Sequence, residues 1–311
     1  MPVAEDLLFI ADDLAERSAK GRLRSRLLRD NSVEIARKWG LKIEYLYVVD
    51  LKIPLFKKQQ FKILKENFDA IKGSVEEKYR KEKIPAEINI LYGIPAEEIL
   101  KSVRLANEAR LLLIGTQGRK GIKKLLMGSV AEEVLRNTST PVLVLGPKAQ
   151  EKRKVLQISE KMKVLFLTDF SDSSDAAESF LISFCSKFKC PVLIAHSVGE
   201  QISRIRQSLL AAGDVPLDIE RMFNQMTEDA QRDLQRKTRD FQKKGLKATS
   251  HLFVKEERLE ASLKSLLAKM DLVVMGTRGR NKVLSSFVGS TARDLILNSP
   301  VPVVAIRNEE D

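Results

Sequence analysis

Leu272-Val-Val-Met-Gly276-Thr-Arg-Gly279, followed nine residues later by Gly289-Ser290, is written twice in this chain. At a constant offset of 161 stands Leu111-Leu-Leu-Ile-Gly115-Thr-Gln-Gly118, again followed after nine residues by Gly128-Ser129. Aligned without gaps, 115–145 and 276–306 share ten identities in 31 positions, among them Arg119/Arg280, Ala131/Ala292, Asn137/Asn298 and the Pro-Val pairs at 141 and 302. A short apolar run that ends in a glycine turn and then opens a helix reads as a buried parallel strand entering a βα unit. Upstream, Phe9-Ile-Ala-Asp12 matches Phe166-Leu-Thr-Asp169 at an offset of 157. Repetition at a fixed spacing means one architecture used twice. The expected organisation is a first domain at 1–147, a basic linker at 148–161 and a second domain at 162–311.

Outward from these anchors, strand patterns alternate with helix patterns. Strands are expected near 7–11, 43–49, 86–92, 111–114 and 142–145. In the second copy they fall at Val164–Leu167, Pro191–Ala195, Leu252–Val254, Leu272–Met275 and Pro302–Ile306. Ala177, Phe180, Leu181, Phe184 and Cys185 recur at helical spacing within Ser174–Lys187, as do Phe61, Leu64, Phe68, Ile71, Val75 and Tyr79 in the first copy. A charged helical region spans 202–244 with a break at Gly213–Pro216, and further helices are expected at Leu259–Lys269 and 290–297. Apolar strands alternating with helices imply parallel sheets covered on both faces. The expected fold class is α/β: two tandem open α/β sandwiches, each a five-stranded parallel sheet with helices on both faces, Rossmann-like.

The composition agrees. The 311 residues are 43% hydrophobic and 31% charged, which excludes a disordered or a membrane-embedded chain. Apolar runs such as Val301–Ile306 fall far short of the roughly 20 residues that span a bilayer. Residues 1–13 carry Glu5, Asp6, Asp12 and Asp13 and no basic residue, unlike a secretory signal, so the expected compartment is the cytoplasm. Two cysteines, Cys185 and Cys190, and two histidines, His196 and His251, do not build a four-ligand zinc site or a serine-hydrolase triad. The cysteines read as small buried hydrophobes. His196 reads either as ligand-adjacent or as a satisfied strand-end histidine.

The net charge of +12 has several readings. Residues 1–150 hold 28 basic and 20 acidic residues, and the excess concentrates at Arg22–Arg29, at Lys57-Lys58 and at Arg119, Lys120, Lys123 and Lys124. With 6% aromatics and no RNA- or DNA-binding signature, nucleic-acid binding is disfavoured. A small anion is the better partner. In open α/β sheets, ligands sit beyond the carboxyl ends of the strands. There the glycines let backbone N–H groups approach phosphate oxygens, and the helix starts at Ser129 and Ser290 add unpaired donors. Two structural alternatives stand beside this: glycines are ordinary turn residues, and Ser129 with Glu132 matches a capping box. The loops are neither a Walker A sequence nor a dinucleotide G-x-G-x-x-G.

The pattern G-x2-G-x9-G-[ST], after a fourth strand and before a last helix, resembles the nucleotide-binding signature of the universal stress protein family, and it occurs in both halves. Leu167-Thr-Asp-Phe-Ser171, Ala195-His-Ser-Val198, Asp271-Leu-Val-Val-Met-Gly-Thr-Arg-Gly279 and Tyr92-Gly-Ile-Pro-Ala-Glu-Glu-Ile99 are similar to further family segments. The resemblance implies ATP or AMP as ligand, with Mg2+ accompanying the phosphates. It implies Thr168, Asp169 and Asp12 beside the adenosine, and Ser197 and Val48 flanking the adenine. Phosphates would lie among Gly276, Arg278, Gly279, Gly289, Ser290 and Thr291, and among Gly115, Gly118, Gly128, Ser129 and Val130. Arg278, Arg280, Arg119 and Lys120 are either additional phosphate charges or plain surface residues.

The first copy departs from the family pattern with Ala11-Asp-Asp-Leu14, and with eight extra residues that Arg22–Arg29 are expected to fill. The second departs at Phe253–Glu257, which replaces a Gly-x-Pro turn. Both departures bear on whether the two sites bind alike. The short last strands, which pair across a dimer in the family, are expected to pair within this chain as a pseudo-dimer, with homodimers of whole chains also compatible. A non-catalytic nucleotide-binding role is expected, because no general base, metal cluster or nucleophile stands out, although slow ATP hydrolysis stays compatible with these residues. The alternatives are a basic nucleic-acid binder and a partner-binding scaffold with silent sites.

Overall fold

A computed structural model of the chain describes residues 6–13, 18–50, 69, 72–106, 109–116, 127–213, 218–255, 259–278 and 288–308. The first half runs β1 (Leu7–Ala11), α1 (Ala19–Trp39), β2 (Lys42–Asp50), α2 (72–81), β3 (Ala86–Gly93), α3 (Pro95–Leu105), β4 (Ala109–Gly115), α4 (Ser129–Asn137) and β5 (Val142–Leu145). A short α5 (Pro147–Glu151) follows. The second half is β6 (Val164–Leu167), α6 (Asp172–Phe188), β7 (Val192–Ser197), α7 (Gly199–Ala212), α8 (Ile219–Lys243), β8 (Ala248–Phe253), α9 (Leu259–Leu267), β9 (Leu272–Gly276), α10 (Ser290–Asn298) and β10 (Val303–Ile306).

All ten strands form one sheet in the order β3-β2-β1-β4-β5-β10-β9-β6-β7-β8. Every pairing inside a half is parallel. The halves meet in one antiparallel pairing, with Val303 opposite Val144, Val304 opposite Leu143 and Ala305 opposite Val142. The expected pairing of the two last strands within the chain is therefore formed.

Alternation of side chains divides the core into two layers. On one face Leu8, Ile10, Ile43 and Tyr45, with Val164, Phe166 and Ile194, meet residues of α1, α6 and α8. On the other, Phe9, Leu112, Ile114, Leu165 and Val273 meet residues of α3, α4, α9 and α10. Central strands are apolar on both sides for this reason. The outermost β8 alternates instead, with Thr249, Ser250 and His251 following Ala248, which is why its first half escapes a search for apolar runs and the expected strand at Leu252–Val254 lies too late. Pro191 and Pro302 stand just before their strands rather than within them, since proline cannot donate to a ladder.

The segment at 148–161 is packed rather than loose. Asn31, fully buried on α1, donates to the Leu27 and Lys154 carbonyls and accepts from Leu156 N. Glu34 accepts from Ile158 N. Trp39 at the end of α1 meets Phe180, Phe184 and Phe188 of α6 edge-on at 5.3–6.0 Å, so helices of the two halves touch on this face.

On the opposite face, Glu132 of α4 pairs at 3.3 Å with Arg293 of α10, its own counterpart 161 residues on. Gly146 lies so close to α10 that a Cβ there would fall 1.9 Å from the Ile296 carbonyl oxygen. Since that obstacle is backbone, Gly146→Ala is expected to destabilise the protein by about 1–3 kcal/mol through overpacking. Urea unfolding of the variant checks this, and an unchanged midpoint would contradict the packing described.

Candidate functional site

Strand order reverses direction between β1 and β4 in the first half and between β6 and β9 in the second. The crevice at the carboxyl ends of these pairs is where an open α/β sheet places a ligand.

In the second half this crevice is lined by short polar side chains. Thr168 directly follows β6, and its hydroxyl accepts from Ser174 Oγ at 2.6 Å and from Phe170 N at 3.1 Å. Asp169 Oδ1 accepts from Ser171 N at 3.1 Å and Ser171 Oγ at 2.6 Å, closing a turn that delivers the chain into α6. Ser171 is also the N-cap of that helix, and its hydroxyl reaches the Arg278 carbonyl at 3.4 Å across the crevice. Phe170, between them, is held at φ 59°, an uncommon conformation for a bulky residue. His196 Nδ1 lies 2.8 Å from the Thr168 carbonyl and its ring 4.8 Å from that of Phe170. It is the satisfied strand-end histidine, next to Ser197. Cys185 and Cys190 are buried free thiols.

At the end of β9, Gly276 is approached by the first turn of α6: a Cβ would fall 2.8–2.9 Å from Ser173 atoms. Thr277, 2% exposed, has a hydroxyl with no hydrogen-bond partner among the described residues. Its carbonyl accepts from Gly289 N at 2.9 Å, which sets Gly289 as the N-cap of α10. That helix has no side-chain cap and no acidic residue in its first turn, so Ser290 and Thr291 stand at an uncapped, positive helix end.

The first half repeats part of this. Gly128 N donates to the Thr116 carbonyl at 2.7 Å, and the Thr116 hydroxyl is also buried without a partner among the described residues. Gly128, not Ser129, is the N-cap of α4, with Ser129 and Val130 in its first turn. The capping box considered for Ser129 and Glu132 does not form, because Ser129 is already helical and Glu132 is paired with Arg293 instead. Gly118 and Gly279 lie outside the described residues, as do Lys57, Lys58, Arg119, Lys120, Lys123, Lys124 and Arg280.

The ladder changes one equivalence. Ala11 pairs with Ile114 and Leu167 with Met275, and Ile114 and Met275 are 161 apart. Ala11 is therefore the counterpart of Leu167, and the offset of the first strands is 156 rather than 157. The faces agree: Ile10 and Phe166 share one core layer, Phe9 and Leu165 the other. A slip of one residue would exchange them. Asp12 thus occupies the place of Thr168, and Asp13 that of Asp169.

The second strands are related by 149, with Leu46 opposite Ala11 and Ala195 opposite Leu167, which leaves Val48 matched to Ser197. The same 149 relates Gly40 and Lys189, the left-handed residues that end α1 and α6. The surplus of the first copy is then the difference of the two offsets, seven residues, and it precedes Arg24. Arg24–Arg29 is not an insertion, because it belongs to the helix that both halves share.

Asp12 is enclosed. Tyr45 OH donates to Oδ2 at 2.6 Å, Arg24 Nε stands 3.5 Å from Oδ1 and Arg29 Nη1 3.9 Å from Oδ2, with the carboxylate side chain 0% exposed. Arg24 and Tyr45 are not marked by any motif. Only the contact geometry brings them to Asp12.

A family model described as the universal stress protein family matches residues 24–146 and again 161–307. A universal stress protein of Methanocaldococcus jannaschii is 30% identical over 130 residues, 39% of this chain and 74% of the relative. One of Mycobacterium tuberculosis is 22% identical over 240 residues, 77% of this chain and 75% of the relative. The crystal structure of a universal stress protein from Archaeoglobus fulgidus superposes with a TM-score of 0.69 at 21% identity, covering 98% of this chain and 97% of that one. The fold and its crevices define a doubly wound α/β protein written in tandem, and the chain belongs to the universal stress protein family. Among the described residues no helix is long and apolar enough to cross a membrane.

Burial first, and the Asp12 charge second, push the Tyr45 phenol well above its ordinary 10.0, and burial raises Tyr79 as well. Folded-state values above the unfolded one give stability that is complete below pH 10 and is lost as pH rises through the folded values. Urea unfolding should weaken above about pH 10. In Tyr45→Phe that alkaline loss should shrink, while stability at pH 7 drops by about 1.5–3 kcal/mol for the lost bond to a charged group. Equal alkaline slopes in the two proteins would exclude Tyr45 as the source.

Proposed function

We propose that this chain is a nucleotide-binding universal stress protein that acts in stress response or signalling, with ATP or AMP as its ligand. The observation that carries this is the start of α10. It is an uncapped helix end without a first-turn carboxylate, beside the buried hydroxyl of Thr277, which has no hydrogen-bond partner among the described residues, at the strand-order switch of the second half. Helix N–H donors and a hydroxyl with no other partner suit phosphate oxygens. In this reading Gly276, Arg278, Gly279, Gly289, Ser290 and Thr291 surround the phosphates. Thr168, Asp169 and Ser197 face the nucleoside, and Mg2+ is carried by the phosphates. The role is binding rather than catalysis. One chain supplies both partners of the β5–β10 pairing, so the single chain is a sufficient binding unit.

Millimolar ATP or AMP should raise the melting temperature by a few degrees, since saturation at about 100 times Kd stabilises by ~2.7 kcal/mol. The shift should vanish in Asp169→Ala. No shift with either nucleotide would sink this reading in favour of a partner-binding scaffold. ADP accumulating over hours with purified protein would overturn the non-catalytic part.

A further inference from the structure

The two crevices are filled differently at one equivalent point. Arg24 and Ser173 each stand sixteen residues before the left-handed residue that ends their helix, Gly40 and Lys189. Each lies against the glycine that ends the strand before the turn. Ser173 meets Gly276 with its backbone and Cβ, whereas Arg24 meets Gly115 with its side chain, Cδ falling 2.5 Å from where a Cβ would be. Beyond Gly115 the guanidinium continues between the ends of β1 and β4. Nε lies 3.5 Å from the Asp12 carboxylate, and Nη2 donates to the Asp13 carbonyl at 3.4 Å. The Arg24 side chain is 5% exposed and that of Asp12 0%. At the corresponding places the second half has the neutral Thr168 and Ser173, and the Thr168 hydroxyl is met by that of Ser174, the counterpart of Ser25.

We infer that the first half carries its own occupant. Arg24 fills the crevice at the β1/β4 switch point, and the chain binds one nucleotide, in the second half. The ligand in this statement rests on the proposed function above. A nucleotide entering the first half must displace the Arg24 side chain, and that breaks an ion pair removed from water. Parting two such charges costs more than a surface contact can return. The two halves of a shared sheet are then unequal: one is closed permanently by a side chain, the other by a ligand that comes and goes.

Equilibrium dialysis of the full chain against radiolabelled ATP tests this. Wild type should bind one ATP, Asp169→Ala none, and the double variant Asp12→Thr/Arg24→Ser two. The double variant rebuilds the neutral arrangement of the second half and leaves no lone carboxylate, so its folding is not in question on that account. Two ATP per wild-type chain, one retained by Asp169→Ala, or only one in the double variant overturns the inference. Binding of no ATP by wild type overturns the nucleotide reading instead. The seat of Arg24 is then decided by thermal unfolding of Asp12→Thr, Arg24→Ser and the double. A double variant that melts no lower than the worse single supports the occupied crevice, and simply additive losses overturn it.

Discussion

The antiparallel pairing of Val142–Val144 with Val303–Ala305 is the contact on which the molecule's organisation depends. Both strands are buried along their whole length, and without this pairing each would present a free apolar edge. Joining them turns two five-stranded sheets into one of ten, leaving β3 and β8 as its outer strands. The helices that follow from the pairing are brought together as well. Glu132 meets its own counterpart Arg293, and Gly146 must remain without a side chain because α10 passes over it. Gly115 and Gly276, which end β4 and β9, thereby stand in one continuous sheet.

Within that frame the halves have diverged where chemistry would be done. The same strand end and helix start carry hydroxyls in one half and a carboxylate with a guanidinium group in the other, where Arg29, more than a turn further along α1, adds a second cation. A neutral hydroxyl cluster is easily exchanged for ligand contacts. A buried ion pair is not, because each charge is stable out of water only beside its partner. Part of the basic excess of the first 150 residues is thus internal, spent on Asp12 rather than displayed on the surface.

Much of the architecture was legible in the primary structure. Constant spacing between special residues revealed the duplication, and apolar runs placed the central strands, because a strand buried on both faces must be apolar throughout. Legibility failed where the pattern is weak. β8 alternates and carries Thr249, Ser250 and His251 in its interior. The Ser129 capping box fits local rules but yields to a tertiary ion pair. The one-residue offset of β1 could not be found by matching Asp12 to Asp169, since identity of residue type says nothing about which face a strand residue takes.

The amino-acid sequence by itself determined the tandem repeat, the α/β class and the position of both glycine turns, because these follow from local periodicity and from residues with special backbone freedom. Only the tertiary structure decided that Asp12 stands in for Thr168, that Arg24 lies over Gly115, and that Thr116 and Thr277 bury hydroxyls without partners among the described residues. Those facts are set by register between strands more than 90 residues apart in sequence, and by how closely a helix rests on the sheet beneath it. No local signal encodes a distance of that kind.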